Sequence, residues 1–325
     1  MSEITYKQAI TRGIGDALAA DEDVFLLGED IGAAGGAFKT TEGLFERFGP
    51  QRVLDTPISE QAIVGCAIGA AVRGLRPLAE IMFADFAGVC FDQIATELAK
   101  YRYMTNGQVS LPVTIRMANG AGAGFGAQHS QPAENWFLNV PGLKIVVPGT
   151  PADAYGLLRS AVDDPDPVLY FEHKGLFNAK GDLPDGAAPV PLGRAEIVRP
   201  GEHVTVVATQ LMRHRALEAT ETLAGEGVEV ELIDPRTLVP LDLETIGQSV
   251  DRTNLLVVVQ ESPPGGSWGA SLISALMQER FEMLDAPPLL IATDEIPIPY
   301  AGPLEAAYLP SVDRIAEGIR RTLAY

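Results

Sequence analysis

The sequence predicts an α/β protein of two domains, each built on a mostly parallel sheet covered by helices. Three observations predict it. Short β-branched or apolar runs alternate with helical patterns, as parallel strands joined by crossover helices do. That alternation lapses in a Gly- and Pro-rich stretch containing LPDGAAPVP and then resumes. The chain has 325 residues, long for one core and natural for two.

In order along the first half, the runs Val24–Gly28, Pro77–Met82, Val113–Met117, Lys144–Val147 and Val168–Phe171 read as buried strands. Gln61–Arg73, Val89–Met104 and Ala152–Val162 read as helices between them. Periodicity fades from Lys174 to Gly201, so the expected division is a first domain over 1–175, a linker over 176–200 and a second domain over 201–325. In the second domain Val204–Ala208, Val228–Ile233, Leu255–Gln260 and Leu289–Ala292 are strand-like, and Leu211–Ala224, Gly269–Phe281 and Val312–Leu323 are helix-like.

Charge narrows the functional classes. The chain carries 24 basic and 43 acidic residues, a net charge of −19. That argues against nucleic acid and anionic membranes as partners and leaves open a basic protein partner. Cys66 and Cys90 lie in apolar runs without metal-ligand spacing, so both are expected to be buried thiols in a reducing cytosol. The opening MSEITYKQAI lacks a signal peptide's apolar core, and no run of eighteen apolar residues occurs. The expected location is cytoplasmic.

The most informative stretch is DTPISEQAIVGCAIGAA, residues 55–71. With Ser59 as N-cap, Glu60 opens a helix whose Ala62, Gly65, Cys66 and Gly69 share one face. Each helical Gly costs about 1 kcal/mol relative to Ala, so close approach of another helix or backbone is the simplest account of that face. Glu60 is open to two readings, a first-turn acid favoured by the helix dipole or a carboxylate that meets a ligand nitrogen. Next, NGAGAGFGAQHSQ follows a strand and delivers His129. Gly122, Gly124 and Ala127 formally match a dinucleotide fingerprint, but no helix or distant acid completes it. A loop whose backbone approaches something closely is the better reading, and His129 is either structural or catalytic. GGSWG around Ser267 matches a nucleophile elbow, but all four histidines lie upstream of it and the hydrolase reading fails. Phe86 stands apart from a mostly core aromatic cluster, because it lies at the end of a parallel strand, where such sheets bind ligands. AVDDPD, residues 161–166, reads as a solvated acidic turn that could also hold a monovalent ion.

Taken together, FLLGEDIG, RVLDTPISE, GLRPLAEIMFADF, AQHSQ, PGLKIVVPGTPADAYGLL, DPDPVLYFEHK, DPRTLVPLD and IPIPYAGPLE make the chain resemble, over its whole length, the beta subunit of the thiamine-diphosphate-dependent decarboxylating component of 2-oxo acid dehydrogenase complexes. The resemblance implies a transketolase-like pyrimidine-binding domain followed by a transketolase C-terminal-type α/β domain. It implies a pyruvate or acetoin type of enzyme that acylates a lipoyl group, with a branched-chain 2-oxo acid enzyme as the alternative. A transketolase-type fragment or a non-catalytic scaffold subunit is the remoter reading. By the same resemblance, Glu60 contacts the cofactor's aminopyrimidine, Phe86 packs on that ring, and His129 stands near the thiazolium and the arriving lipoyl group. Potassium is implied near Val113, Ala161, Val162, Asp164 and Asp166, mostly on backbone carbonyls. No G-D-G followed by an Asn-Asn pair is present, so Mg2+ and the diphosphate are expected on a partner alpha subunit. The implied assembly is an alpha2beta2 heterotetramer docked on a dihydrolipoyl acyltransferase core.

Overall fold

The computed structural model describes residues 2–325. Its strands in chain order are β1 (Ser2–Thr5), β2 (Val24–Gly28), β3 (Val53–Asp55), β4 (Arg76–Ile81), β5 (Thr114–Asn119), β6 (Lys144–Val146), β7 (Val168–His173), β8 (Lys180–Leu183), β9 (Glu196–Arg199), β10 (Val204–Ala208), β11 (Val230–Asp234), β12 (Thr237–Val239), β13 (Leu256–Val259) and β14 (Leu289–Ile291). The α-helices are α1 (Tyr6–Ala20), α2 (Leu44–Phe48), α3 (Glu60–Val72), α4 (Tyr101–Met104), α5 (Pro151–Asp163), α6 (Gln210–Ala224), α7 (Leu243–Thr253), α8 (Trp268–Arg280), α9 (Gly302–Tyr308) and α10 (Val312–Leu323).

The first sheet runs β12-β6-β7-β5-β4-β2-β3, parallel except for β12. The second runs β14-β13-β10-β11-β9, parallel except for β9. Strands buried on both faces need apolar side chains throughout, which is why β10 and β13 (VTVVA, LVVV) show no alternation. On one face of the first sheet α1 and α5 pack together in a core around Ile10, Ile14, Leu157 and Tyr170. On the other face the core is continuous from Val64, Ile94 and Ile115 to Ile233, Ile246 and Trp268 of the second half. Helices α6 and α10 close the far side of the second sheet.

Three departures from the sequence reading matter. β12 comes from the second half of the chain yet extends the first sheet antiparallel to β6. The 176–200 stretch carries β8, paired with β1, and β9, an edge of the second sheet. The expected Val89–Met104 helix is real but broken, with a π-turn segment at Gln93–Leu98 and a separate final turn in α4.

Candidate functional site

Chain order reverses beside β2, which has β3 on one side and β4 on the other. These strands are parallel, so their carboxyl ends open a crevice at the reversal, where open α/β sheets take ligands. Glu29 follows β2, Glu60 follows β3, Phe83 to Phe86 follow β4, and the His129 loop follows β5. Topology therefore gathers the three residues singled out from sequence at one end of one sheet.

Ser59 occupies the N-cap position of α3, but its hydroxyl makes no capping bond. Glu60 is half-buried at that uncapped end. Its negative charge reaches the carboxyl of Glu29, which burial, Asp30 and Glu60 together push up. It also reaches the Cys90 thiol, pushed to about 12 by burial first and Glu60 second. The Cys90 sulfur lies 3.8 Å from the Phe86 carbonyl, which ties Glu60 to the Phe86 turn. The small face of α3 is exposed at Ala62, Gly65, Cys66 and Gly69, and a Cβ at either glycine would meet nothing within 4 Å. Close packing within the chain thus does not require these residues to be small. The expectation for Cys66 is corrected: this thiol is exposed, because the helix turns its small face outward, while Cys90 is buried.

Phe86 and His129 meet. Their ring centroids are 5.2 Å apart at 81°, and Phe83 lies 4.6 Å from His129 and 5.5 Å from Phe86. Edge-to-face contacts of this kind contribute about 0.5–1.5 kcal/mol each and fix ring orientation. His129 Nδ1 is buried without a hydrogen-bond partner, which in a native site points to a group supplied from elsewhere. The loop reaches this position because Gly120, Gly122, Gly124 and Gly126 all adopt positive φ, between 73° and 88°, a conformation that L side chains rarely tolerate.

Several carboxylates hold the loop. Glu305 of α9 accepts from the Gly122 amide at 2.8 Å and the Gly124 amide at 3.1 Å. Glu261, after β13, accepts from the Ala121 amide and from His173 Nε2 at 2.6 Å. His173 Nδ1 accepts from the Gly175 amide, so the ring proton resides on Nε2. Burial opposes the charge on Glu261, but the electrostatic pull and hydrogen bond of His173, then the Ala121 amide and the Lys174 charge, outweigh it and hold the carboxyl below its usual range. Asp85 Oδ1 accepts from the backbone and side chain of Gln131. Asn119 Nδ2 donates to Glu134, which burial pushes up to about 7. Beside them Lys174, buried at 5% exposure, lies 5.7 Å from the Phe83 ring centroid with its ammonium unpartnered. On the loop's far side a cleft of about 620 Å³ opens between the domains, lined by Ala127, Gln131, Ser262 and Pro297. A larger cavity of about 900 Å³ lies at Arg102, Tyr103 and Lys144 and contains none of the three site residues.

Sequence reasoning missed Glu261, Glu305 and Lys174. Their signal was weak: Glu261 ends an apolar run, Glu305 lies between apolar residues and Lys174 follows Glu172 and His173, and only the fold brings Glu261 and Glu305 to the loop. Ser267 is a helix cap, its hydroxyl accepting from the Ala270 amide and donating to the Pro264 carbonyl. The potassium expectation gains no support from the geometry. Lys144 pairs with both Asp164 oxygens at 2.6 Å, and Arg102 pairs with Asp166. The carbonyls of Val113, Ala161 and Val162 accept from Val168, Thr114 and Arg76. Among the described residues no cluster of His, Cys, Asp and Glu side chains is arranged to hold a metal ion, and no helix is long and apolar enough to cross a membrane.

Comparison with known proteins places this geometry. Residues 2–180 match the transketolase pyrimidine-binding domain and residues 193–315 the transketolase C-terminal domain. The chain is 45% identical to the acetoin:2,6-dichlorophenolindophenol oxidoreductase subunit beta of Cupriavidus necator, covering 99% of this chain and 98% of that one. It is 43% identical to the mitochondrial pyruvate dehydrogenase E1 component subunit beta-2 of Oryza sativa subsp. japonica, over 98% and 86% of the two chains. It is also 43% identical to the Bacillus subtilis acetoin oxidoreductase subunit beta, over 96% and 95%. A solved split-gene transketolase, an inactive beta4 tetramer, shares the fold with a TM-score of 0.82 at 22% identity, over 99% of this chain and 98% of that one. On this match of both domains and of full-length relatives, the chain belongs to the transketolase-type family that contains the beta subunits of pyruvate dehydrogenase E1 and of acetoin oxidoreductase.

Proposed function

We propose that this chain is the beta half of a thiamine-diphosphate site, acting on pyruvate or acetoin and passing the acyl product to a lipoyl group. The observation that carries the reading is the contact of Phe86 with His129 at the strand ends beside the Glu60 helix mouth. These residues fit the group: an aromatic face for a planar ring, a half-buried carboxylate for a ring nitrogen, and an imidazole nitrogen with no partner in the chain. When bound, thiamine diphosphate supplies a nucleophilic ring carbon and an electron sink. Glu60 would accept and return a proton at the pyrimidine nitrogen. Phe86 would pack on the ring. His129, braced by Phe83, is the candidate proton donor to the arriving lipoyl group.

The diphosphate and Mg2+ fall to an alpha subunit in this reading, in an alpha2beta2 heterotetramer. The exposed small face of α3 and the exposed Ile58 beside it suit burial against another subunit. The net charge of −19 suits docking on a basic segment of an acyltransferase core. The acetoin and pyruvate names of the relatives favour those substrates over branched-chain 2-oxo acids. A cytoplasmic location accompanies the reading.

The test is the chain reconstituted with its alpha partner and assayed against pyruvate, acetoin and branched-chain 2-oxo acids. Glu60→Gln is expected to slow proton exchange at the thiazolium carbon by at least ~100-fold, the lower range for a positioned acid–base group, with assembly intact. Normal exchange in that variant would refute the role of Glu60.

A further inference from the structure

The glycine segment before His129 formally matches a dinucleotide fingerprint, and its amides do take an anion. Gly120, Gly122, Gly124 and Gly126 have positive φ, and Ala121, Ala123 and Phe125 between them do not. Alternation of this kind gathers backbone N–H groups into a concavity that accepts negative charge. Here the negative charge is the chain's own. Glu305 of α9 accepts from the Gly122 amide at 2.8 Å through Oε1 and from the Gly124 amide at 3.1 Å through Oε2. Beside it, Glu261 accepts from the Ala121 amide. Both carboxylates come from the second half of the chain, and the segment they hold belongs to the first.

Packing sets Glu305 in this place. Its own amide donates to the Ala301 carbonyl at 2.9 Å, which fixes it in the first turn of α9. Ile298, Tyr308 and Leu309 form a small core with Ala121. The Tyr300 ring stands so close to Gly126 that a Cβ there would meet it at 3.3 Å. Glu305 is thereby left 4% exposed with backbone amides as its partners. Ionised acceptors make the stronger hydrogen bonds, so a buried carboxylate can hold a loop that has no regular structure of its own.

The grip extends to the imidazole. Phe125 follows the held Gly124, and its ring centroid lies 5.5 Å from that of Phe83. Phe83 in turn lies 4.6 Å from His129. The His129 amide donates to the Gly126 carbonyl at 3.4 Å. We propose that Glu305 is a positioning residue for His129: a carboxylate of the second domain fills the anion-accepting concavity of the first domain's glycine segment and so fixes where the imidazole is presented. Glu305 acts through the segment and the Phe125–Phe83 contact. The inference rests on the reading of His129 given above only for its functional consequence.

The experiment uses the full chain and reads amide hydrogen exchange across residues 119–134. Glu305→Ala should speed exchange of the Gly122 and Gly124 amides by about tenfold or more, roughly the effect of losing one charge-assisted hydrogen bond locally. Strands β4, β5 and β7 should keep their protection. Formate should restore much of the loop's protection in that variant, because it returns a carboxylate to the emptied concavity, and chloride at equal ionic strength should not. Should Glu305→Ala fail to fold, Glu305→Gln keeps the shape and one acceptor oxygen while losing the charge, and should loosen the same two amides by a smaller factor. Unchanged protection of Gly122 and Gly124, or a loss spread equally over the strands, would overturn the proposal. So would a loosening that formate leaves in place, since packing would then hold the loop. In the reconstituted enzyme Glu305→Ala should raise KM for the lipoyl acceptor more than it lowers turnover with an artificial acceptor. A loosened loop, restored by formate, with unaltered acylation would uphold Glu305 as the loop's holder and reject the role of His129 instead.

Discussion

Replacing Arg116 by Met should make the protein's stability strongly pH-dependent. Arg116 sits on β5 between Glu80 of β4 and Glu172 of β7, at 1% side-chain exposure. Its Nη1 donates to Glu80 at 2.8 Å and its Nε to Glu172 at 2.6 Å. Burial already pushes Glu172 up to about 7 despite the guanidinium, and Glu80 adds to the rise. A carboxyl raised above its ordinary 4.5 in the folded state favours folding fully below that value, and the advantage is lost as pH climbs through about 7. That shift alone corresponds to about 3 kcal/mol between pH 4.5 and pH 8. Without Arg116 both carboxylates face a dry core, and removal of one partner from a buried ion pair costs about 3–5 kcal/mol. At pH 5, below the raised value of Glu172, that acid protonates, so the loss there should be smaller by about 2 kcal/mol. Urea unfolding at pH 5 and pH 8 measures the difference. The Arg116→Met, Glu80→Gln, Glu172→Gln triple variant should recover most of the pH 8 loss, since neutral packing replaces the charges. An equal loss at both pH values, or a triple variant no more stable than Arg116→Met, would refute the electrostatic account.

Three further outcomes are expected. Gly120→Ala should destabilise by more than about 2 kcal/mol, because φ is +80° and the new Cβ would fall on the His173 ring; thermal unfolding checks it, and loop exchange should rise with it. A thiol reagent should modify one cysteine of the native free chain, Cys66, and spare Cys90, which is buried and raised to about 12; peptide mapping distinguishes them, and protection of Cys66 after assembly would locate the α3 face in a subunit contact. His129→Ala should reduce lipoyl acylation by about 10²-fold or more while sparing turnover with an artificial acceptor, and equal losses in both assays would count against its assigned role.

What local sequence could encode was legible. The apolar runs of β4, β5, β7, β10 and β13 stand out because a strand buried on both faces has no room for polar alternation. Even there, Glu80, Arg116 and Glu172 are exceptions that only the fold reconciles, by placing them on neighbouring strands. The start of α3 at Glu60 and the alternating glycines before His129 are likewise local, since each is a statement about φ/ψ at a few residues, although the expected Ser59 cap bond does not form. The membership of both domains in one family was legible too, through motifs in fixed order along the whole chain.

The sequence alone thus determined the two α/β halves, the family, and the identity of Glu60, Phe86 and His129 as residues to watch. Tertiary structure decided where they stand. It reversed the strand order at β2 so that three distant segments share one crevice, and it turned the small face of α3 outward. It also set Glu261 and Glu305 of the second half against the loop of the first. The physical reason is that strand and helix signals are short-range, whereas burial of a charge is tolerable only through partners that chain topology brings from far away.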